Sequence, residues 1–265
     1  MIVEDGYKIQ STYKHLVVSG CSFTSNLPAP DDEPFQWPNL IAEWSGIKLH
    51  NLAIPGAGNT HISNSIRLYL DINNLPPEET LVIVMWSGID RIDFMTDPDA
   101  SKFTSVYPFG YDYSDSAELS LGGNWWNISN PCDIQKAIIN YSKFQNNETY
   151  AIQSYLNMQS LSDYLSIRGY KYYFTSYFNY NILDKIEGNN DSGIDFFGIL
   201  KKLNLSSDRF TWVALDPCQY FGNWSKKYST LQQDNFHPGR EAVERWPKEV
   251  LLPYLINERV FTYDS

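Results

Sequence analysis

Residues 81–86 read Leu-Val-Ile-Val-Met-Trp, six apolar residues without a polar break. A half-buried strand would alternate apolar and polar side chains, and an amphipathic helix would space them every three or four positions. A short unbroken run rich in β-branched residues suits a strand covered on both faces. Such strands belong to parallel sheets, whose neighbours must be joined by crossovers long enough to hold a helix. The rest of the chain supplies both parts. Residues 16–19 (Leu-Val-Val-Ser) form a β-prone run that stops at Gly20, and residues 170–175 and 211–215 read as further strands, with a weaker one at 47–52. Between them lie helical stretches at 36–45, 60–72, 151–168 and 196–203, and a last one at 239–257 interrupted by Pro247. Pro247 suits the first turn of a second piece better than a helix interior. In the 151–168 stretch, Ile152, Tyr155, Leu156, Leu161, Tyr164 and Leu165 recur at helical spacing, and Gly169 follows as the expected C-terminal cap. The alternation predicts an α/β fold with a parallel sheet of five strands.

A chain of 265 residues suits one large domain, or one domain carrying an insertion. Residues 1–265 are therefore expected to form a single domain. Residues 97–150 break the rhythm: they are rich in Pro, Gly, Asn, Ser and aromatics, and are read as an insertion or lid. A net charge of −11 excludes a nucleic-acid binder without a basic face, and no Lys/Arg cluster supplies one. It also disfavours an anionic membrane surface. No run reaches the roughly 18 apolar residues of a membrane span. Cys21, Cys132 and Cys218 are odd in number and far apart, so neither a disulfide framework nor a metal knuckle is expected. The acidic, polar N-terminus does not read as a signal peptide. A non-secreted, reducing compartment such as the cytoplasm is the expected setting, and a place within a virion or other assembly is compatible with it.

In open α/β sheets, ligands bind beyond the carboxyl ends of the strands. Four loops qualify. The first strand is followed by Gly20-Cys21-Ser22-Phe23, which places a serine on a tight turn; the plainer role for such a serine is a helix cap. The second is followed by a loop running from Asn51 to Asn59 through Gly56 and Gly58, where a backbone N–H could serve a developing oxyanion or simply a turn. The third is followed by Gly88-Ile89-Asp90-Arg91. Before the last helix comes Asp234-Asn235-Phe236-His237, in which the carboxylate can orient the imidazole three residues on and leave its other nitrogen as a base.

Taken in order, these four loops resemble the motif blocks of the SGNH/GDSL hydrolase family: a Gly-Asp-Ser-Leu-like block at residues 20–23, an Asn…Gly loop at 51–56, a Gly-x-Asn-Asp-like block at 88–91 and Asp-x-x-His at 234–237. The correspondence covers residues 16–240. The resemblance implies a flavodoxin-like three-layer α/β/α sandwich with strand order 2-1-3-4-5. It also implies ester hydrolysis with no metal or cofactor. Carried over residue by residue, Ser22 is the nucleophile and one oxyanion donor through its N–H, Gly56 the second donor, His237 the general base and Asp234 its partner.

Two departures stand out. Cys21 replaces the family aspartate of the first block. Asp90 replaces the asparagine that donates to the oxyanion, and an ionised carboxylate only accepts hydrogen bonds. Losing one such donor costs roughly 10²–10³ in rate. Arg91 is a candidate compensator, either pairing with Asp90 or supplying positive charge; protonation of Asp90 in the complex, or a weak site, are the alternatives.

Other residues have weaker claims. Cys21 as a thiol nucleophile competes with a small packed residue. His61 could line the cleft or simply occupy a helix face. His15 and His50 read as structural, and Asp31, Asp32 and Glu33 as a solvated acidic turn. Trp125 and Trp126 could stack on sugar rings or bury a lid, whereas Trp37, Trp44, Trp86 and Trp246 read as core. The expected partner is a small-molecule or glycan ester, with a small acyl group on a carbohydrate preferred. A non-catalytic binding or structural protein on the same fold, and an acyltransferase, are the competing functions.

Overall fold

The computed structural model describes residues 8–25, 36–89, 91–95, 103–106, 146–177, 196–206, 210–213, 221–225 and 238–263. Its centre is a parallel sheet of four strands: β2 (His15–Ser19), β3 (Lys48–Asn51), β4 (Thr80–Trp86) and β7 (Lys171–Ser176), in the spatial order β3-β2-β4-β7. Leu16 pairs with Leu81 and Leu49, and Val84 with Phe174. All seven residues of β4 are buried, as expected of a strand covered on both faces.

The expected order is found for the first four strands. The fifth position differs: among the described residues it is a single parallel bridge between Phe174 and Trp212, closed by the Phe174 N–H to the Thr211 carbonyl and the Val213 N–H to the Phe174 carbonyl. The sheet is thus four-stranded with one bridge at its edge. Phe210 and Trp212 add ring contacts with Phe174 there, at 5.9 and 6.0 Å between centroids.

Helices cover both faces. Neighbouring residues on a strand point to opposite sides. On β7, the Tyr172 hydroxyl lies 2.7 Å from Ser162 Oγ of α3 (Asn147–Arg168), while the Tyr173 ring meets Tyr254 of α7 (Leu252–Asn257) edge to face. α2 (Asn59–Asn73) packs beside α3, joined by Asn59 to Ser154 and by Ser63 to the Asn157 carbonyl. On the other face, α1 (Trp37–Ser45) meets α6 (Arg240–Trp246) through Trp37 and Trp246, 5.8 Å apart. Between them these observations establish the three-layer sandwich.

α3 begins at Asn147, so the end of the 97–150 segment already belongs to a crossover helix. The Asn146 side chain accepts from the Thr149 N–H at 2.8 Å and caps it. At the other end Gly169 adopts φ 80°, and the Tyr170 N–H bonds back to the Leu165 carbonyl. Tyr155, Leu161 and Leu165 are buried as their spacing predicts. Leu156 is instead 55% exposed, and the inward positions beside Tyr155 are taken by Ser154 and Met158.

After Trp246 the last helix widens rather than breaks. Residues Pro247–Leu251 form a π-type turn, with the Leu252 N–H reaching the Pro247 carbonyl, before α7 resumes. Proline has no N–H to give to the preceding turn, and a wider turn accommodates that loss. Two antiparallel pairs lie outside the parallel sheet: β1 (Ile9–Ser11) with β8 (Phe261–Tyr263), and β5 (Ile92–Met95) with β6 (Phe103–Val106). The departure from the sheet rhythm therefore starts at β5, ahead of residue 97. Two short helices complete the described chain: α4 (Phe196–Lys202) and α5 (Phe221–Ser225). Among the described residues, no helix is long and apolar enough to cross a membrane.

Candidate active site

The carboxyl ends of β2, β3 and β4 lie side by side, and the loops that leave them are hydrogen-bonded to one another. After β2 the chain turns tightly at residues 21–25: the Cys21 carbonyl accepts from the Thr24 and Ser25 N–H groups, each at 2.9 Å. Gly20 is required by crowding. A Cβ there would lie 2.4 Å from Thr24 Oγ1 and 3.1 Å from the Met85 carbonyl oxygen. The turn separates two adjacent nucleophiles. The Cys21 side chain is wholly enclosed in the core, whereas Ser22 is buried but retains 6% exposure. Cys21 is thereby a packed residue of the core.

After β3, Asn51 ties the second loop to the first. Its Nδ2 donates to the Thr24 carbonyl at 2.8 Å, and its Oδ1 accepts from the Ala53 N–H at 3.0 Å. The Ile54 N–H donates to the Gly20 carbonyl at 3.3 Å. Residues 54–57 then form a tight turn with Pro55 and Gly56 at its centre, closed by the Ala57 N–H on the Ile54 carbonyl at 3.2 Å. Gly56 has φ 80°, the left-handed value that the third position of a type II turn demands and that glycine adopts without strain. Among the described residues, no hydrogen bond takes up the Gly56 N–H.

The third loop, after β4, is tied to the second by Asn59. Its Oδ1 accepts from the Ser87 N–H at 3.0 Å and the Ser87 hydroxyl at 3.3 Å, and its Nδ2 donates to Ser154 Oγ at 3.1 Å. Arg91 adds a second tie. Its side chain is buried, with one Nη donating to the Ala57 carbonyl at 3.1 Å and the other to the Tyr177 hydroxyl at 2.9 Å. The guanidinium lies over the Tyr177 ring, 5.3 Å from its centroid, and that ring stacks on Phe23 at 4.2 Å with 9° between planes. A buried cation thus links the residue after Ser22 to the residue after Gly56.

Asp93, which sequence reasoning did not single out, is a second charged group at this rim among the described residues. Its Oδ1 accepts from the Gly58 N–H and its Oδ2 from the His61 N–H, both at 2.8 Å. Gly58 is the N-cap of α2 and offers no side chain, so a carboxylate from β5 does the capping. A Cβ on Gly58 would lie 2.6 Å from Asp93 Oδ2. The Gly58-x-x-His61 spacing at the start of a helix is the only sequence trace of this arrangement. His61 itself is buried in the first turn of α2. Burial pushes its imidazole below the ordinary value, against the raising influence of Asp93 and of the Leu52 backbone.

Of the expected site residues, the structure brings Ser22, Gly56 and Arg91 to one rim, with His61 in the helix that opens from it. Asp90, Trp125, Trp126, Asp234 and His237 lie outside the described residues, as do Asp31, Asp32 and Glu33. The fourth loop can be followed from its far side. α6 begins three residues past His237, and its Trp246 meets Phe221, which in turn meets Phe23 edge-on at 6.0 Å. The last helix is thus packed, through one intervening ring, against the turn that carries Ser22.

Fold and rim together define a parallel α/β protein with its candidate site at the carboxyl edge of the sheet, and the first four strands follow the order that the SGNH/GDSL resemblance implies. No family model and no curated protein sequence matches the chain. Among solved structures it is similar to TesA, at 14% identity over 91% of this chain and 98% of that one, with a TM-score of 0.47. It is also similar to the psychrotrophic esterase EstA from Pseudoalteromonas sp., at 11% identity over 92% and 100% with a TM-score of 0.45. A third similarity is to protein YXIM_BACsu from Bacillus subtilis, at 11% identity over 94% of this chain and 58% of that one, with a TM-score of 0.48.

Proposed function

We propose that the chain is a serine hydrolase of carboxylic esters. The observation that carries this reading is the cross-linking of three loops at one rim, which puts Ser22 on a turn whose neighbour, the Gly56 turn, presents an N–H not taken up by the described residues. In the reaction, Ser22 Oγ attacks the ester carbonyl as His237 takes its proton, with Asp234 orienting the imidazole. The tetrahedral oxyanion accepts from the Ser22 and Gly56 N–H groups. Collapse expels the alcohol, which leaves with the proton from His237, and an acyl group stays on Ser22. Water then attacks the acyl-enzyme as His237 takes its proton, and the acid is released. No metal or cofactor takes part in this scheme.

The preferred substrate is a small acyl group, such as acetyl, on a carbohydrate, as a free molecule or part of a glycan. Support comes from the aromatic, Asn-rich segment around Trp125 and Trp126, whose faces suit sugar C–H surfaces. Asp90 favours a second reading, a binding protein on the same fold, because it removes one oxyanion donor. A third is acyl transfer to a sugar hydroxyl in place of water.

A fluorophosphonate probe separates the first two readings. We expect covalent labelling at Ser22 in the folded protein. We also expect its loss, together with ester hydrolysis, in Ser22→Ala, and a fall in kcat on the order of 10⁶-fold in His237→Ala. Absence of labelling in wild-type protein would leave the binding reading. Addition of acceptor sugars to the assay separates hydrolysis from transfer, since transfer forms a new ester at the expense of free acid.

A further inference from the structure

The peptide that joins Ala57 to Gly58 is gripped at both ends by side chains from one short segment. Arg91 donates to its oxygen at 3.1 Å, and Asp93 accepts from its nitrogen at 2.8 Å. Arg91 and Asp93 are two residues apart on the extended chain entering β5, so their side chains leave on the same side. Both are anchored beyond this peptide: Arg91 by the Tyr177 hydroxyl and ring, and Asp93 by the His61 N–H.

This peptide immediately follows the Gly56 turn. A turn with φ 80° at its third residue differs from its common alternative, type I, by a flip of the central peptide, here Pro55–Gly56. That flip reverses the direction of the Gly56 N–H. A flip must be absorbed by the dihedrals that follow it, and those lead into a peptide whose plane is fixed at oxygen and nitrogen alike. We propose that Arg91 and Asp93 are positioning residues for the Gly56 oxyanion donor, holding the turn in the conformer that aims its N–H at the rim.

The inference rests on the hydrolase reading and adds to it a division of labour. Asp90 costs the site a donor, while the two charged residues that follow it stiffen one that remains. The stack of Tyr177 on Phe23 extends the same brace to the Ser22 turn, so a chain of contacts running from Phe23 through Tyr177 and Arg91 to Ala57 adds to the direct ties of Asn51 to Thr24 and of Ile54 to Gly20.

The test uses the full chain and a small chromogenic acetate ester, with the fluorophosphonate serving both to count active sites and as a tetrahedral oxyanion mimic. In Arg91→Met and Asp93→Asn we expect kcat per titrated site to fall on the order of 10- to 10²-fold, part of the loss that follows removal of a whole donor. KM should stay within about twofold, because ground-state binding does not use the hole, and the rate of phosphonylation should fall by a similar factor. Arg91→Lys should recover part of the loss by reaching the Ala57 carbonyl with one donor. Should Arg91→Met fail to fold, Arg91→Lys and Tyr177→Phe carry the same test. A purely structural role would lower the number of titrated sites and leave the rate per site and the phosphonylation rate at wild-type values; that result overturns the proposal. Activity that survives Ser22→Ala overturns the hydrolase reading itself, and the two failures are told apart by that control.

Discussion

Cys21 and Ser22 are adjacent in sequence and differ in burial: Cys21 is wholly enclosed among core side chains and Ser22 retains 6% exposure. The turn, not the residue type, makes that assignment, and it favours serine over thiol chemistry at this position. Asp90 is the residue that departs most from the resemblance. In the proposed mechanism, an asparagine at that position would restore a side-chain donor to the oxyanion, whereas an ionised carboxylate only accepts hydrogen bonds. We expect Asp90→Asn to raise kcat on a simple ester by roughly 10²-fold with little change in KM, the reverse of losing a donor. A slower variant would mean that the carboxylate has a task of its own. Arg91 was legible as a charge near the site, but its partners were not. A sequence places Arg91 beside Asp90; the fold directs its guanidinium to Ala57 and Tyr177, which are 34 and 86 residues away.

At the scale of elements, the first loop is organised by close approach more than by backbone freedom. Gly20 was read from sequence as a residue permitting a tight turn; its contacts show that a side chain there would collide with Thr24 and crowd the Met85 carbonyl. We expect Gly20→Ala to destabilise the protein by about 1–3 kcal/mol, the usual cost of overpacking, in urea unfolding. Pairing it with Thr24→Ala should recover part of that cost, since the hydroxyl makes the shortest contact; no recovery would place the strain elsewhere. The helices were legible where local chemistry sets their ends, as at α3 with its Asn146 cap and Gly169 stop. The exposed Leu156 marks the limit of that reasoning. The buried stripe runs through Ser154, Tyr155 and Met158 and stops short of Leu156, and the spacing of apolar residues alone does not say on which side of Tyr155 the stripe ends. The cap of α2 was not legible, because its carboxylate comes from a strand 35 residues away.

Across the whole molecule, the end of the sheet opposite the candidate site holds a line of hydrogen-bonded rings. His15 Nδ1 lies 3.0 Å from His50 Nε2, and the Tyr69 hydroxyl 2.6 Å from His50 Nδ1, joining β2, β3 and α2. Burial foremost, then the His15 ring and the Lys48 ammonium, hold the His50 imidazole below its ordinary value. His61 is lowered as well, chiefly by burial. The unfolded chain takes up these protons first, near pH 6.5, so stability is fully present above that pH, declines as the pH falls through the window and levels off below the folded values. We expect the urea midpoint to drop as the pH falls through about 6.5 and below, and His50→Gln to flatten part of that drop, leaving the share due to His61. A pH profile identical in the variant and the wild type would assign the effect elsewhere. β1 and β8 bring the two ends of the described chain together, so Ile9 and Phe261 are buried far apart in sequence and close in space.

The parallel sheet and its covered central strand follow from composition over a few residues, because a short apolar run has few other ways to avoid water. The same holds for Gly56 and Gly169, whose positive φ is a local demand that glycine meets. The partners of Arg91, Asp93 and Asn59 lie 28 to 95 residues from them, and no local rule specifies them. They exist because parallel crossovers bring the ends of successive strands to one edge, where buried polar groups must find one another. Hydrophobic pattern thus chose the layers, and the need to satisfy buried hydrogen-bonding groups arranged the rim.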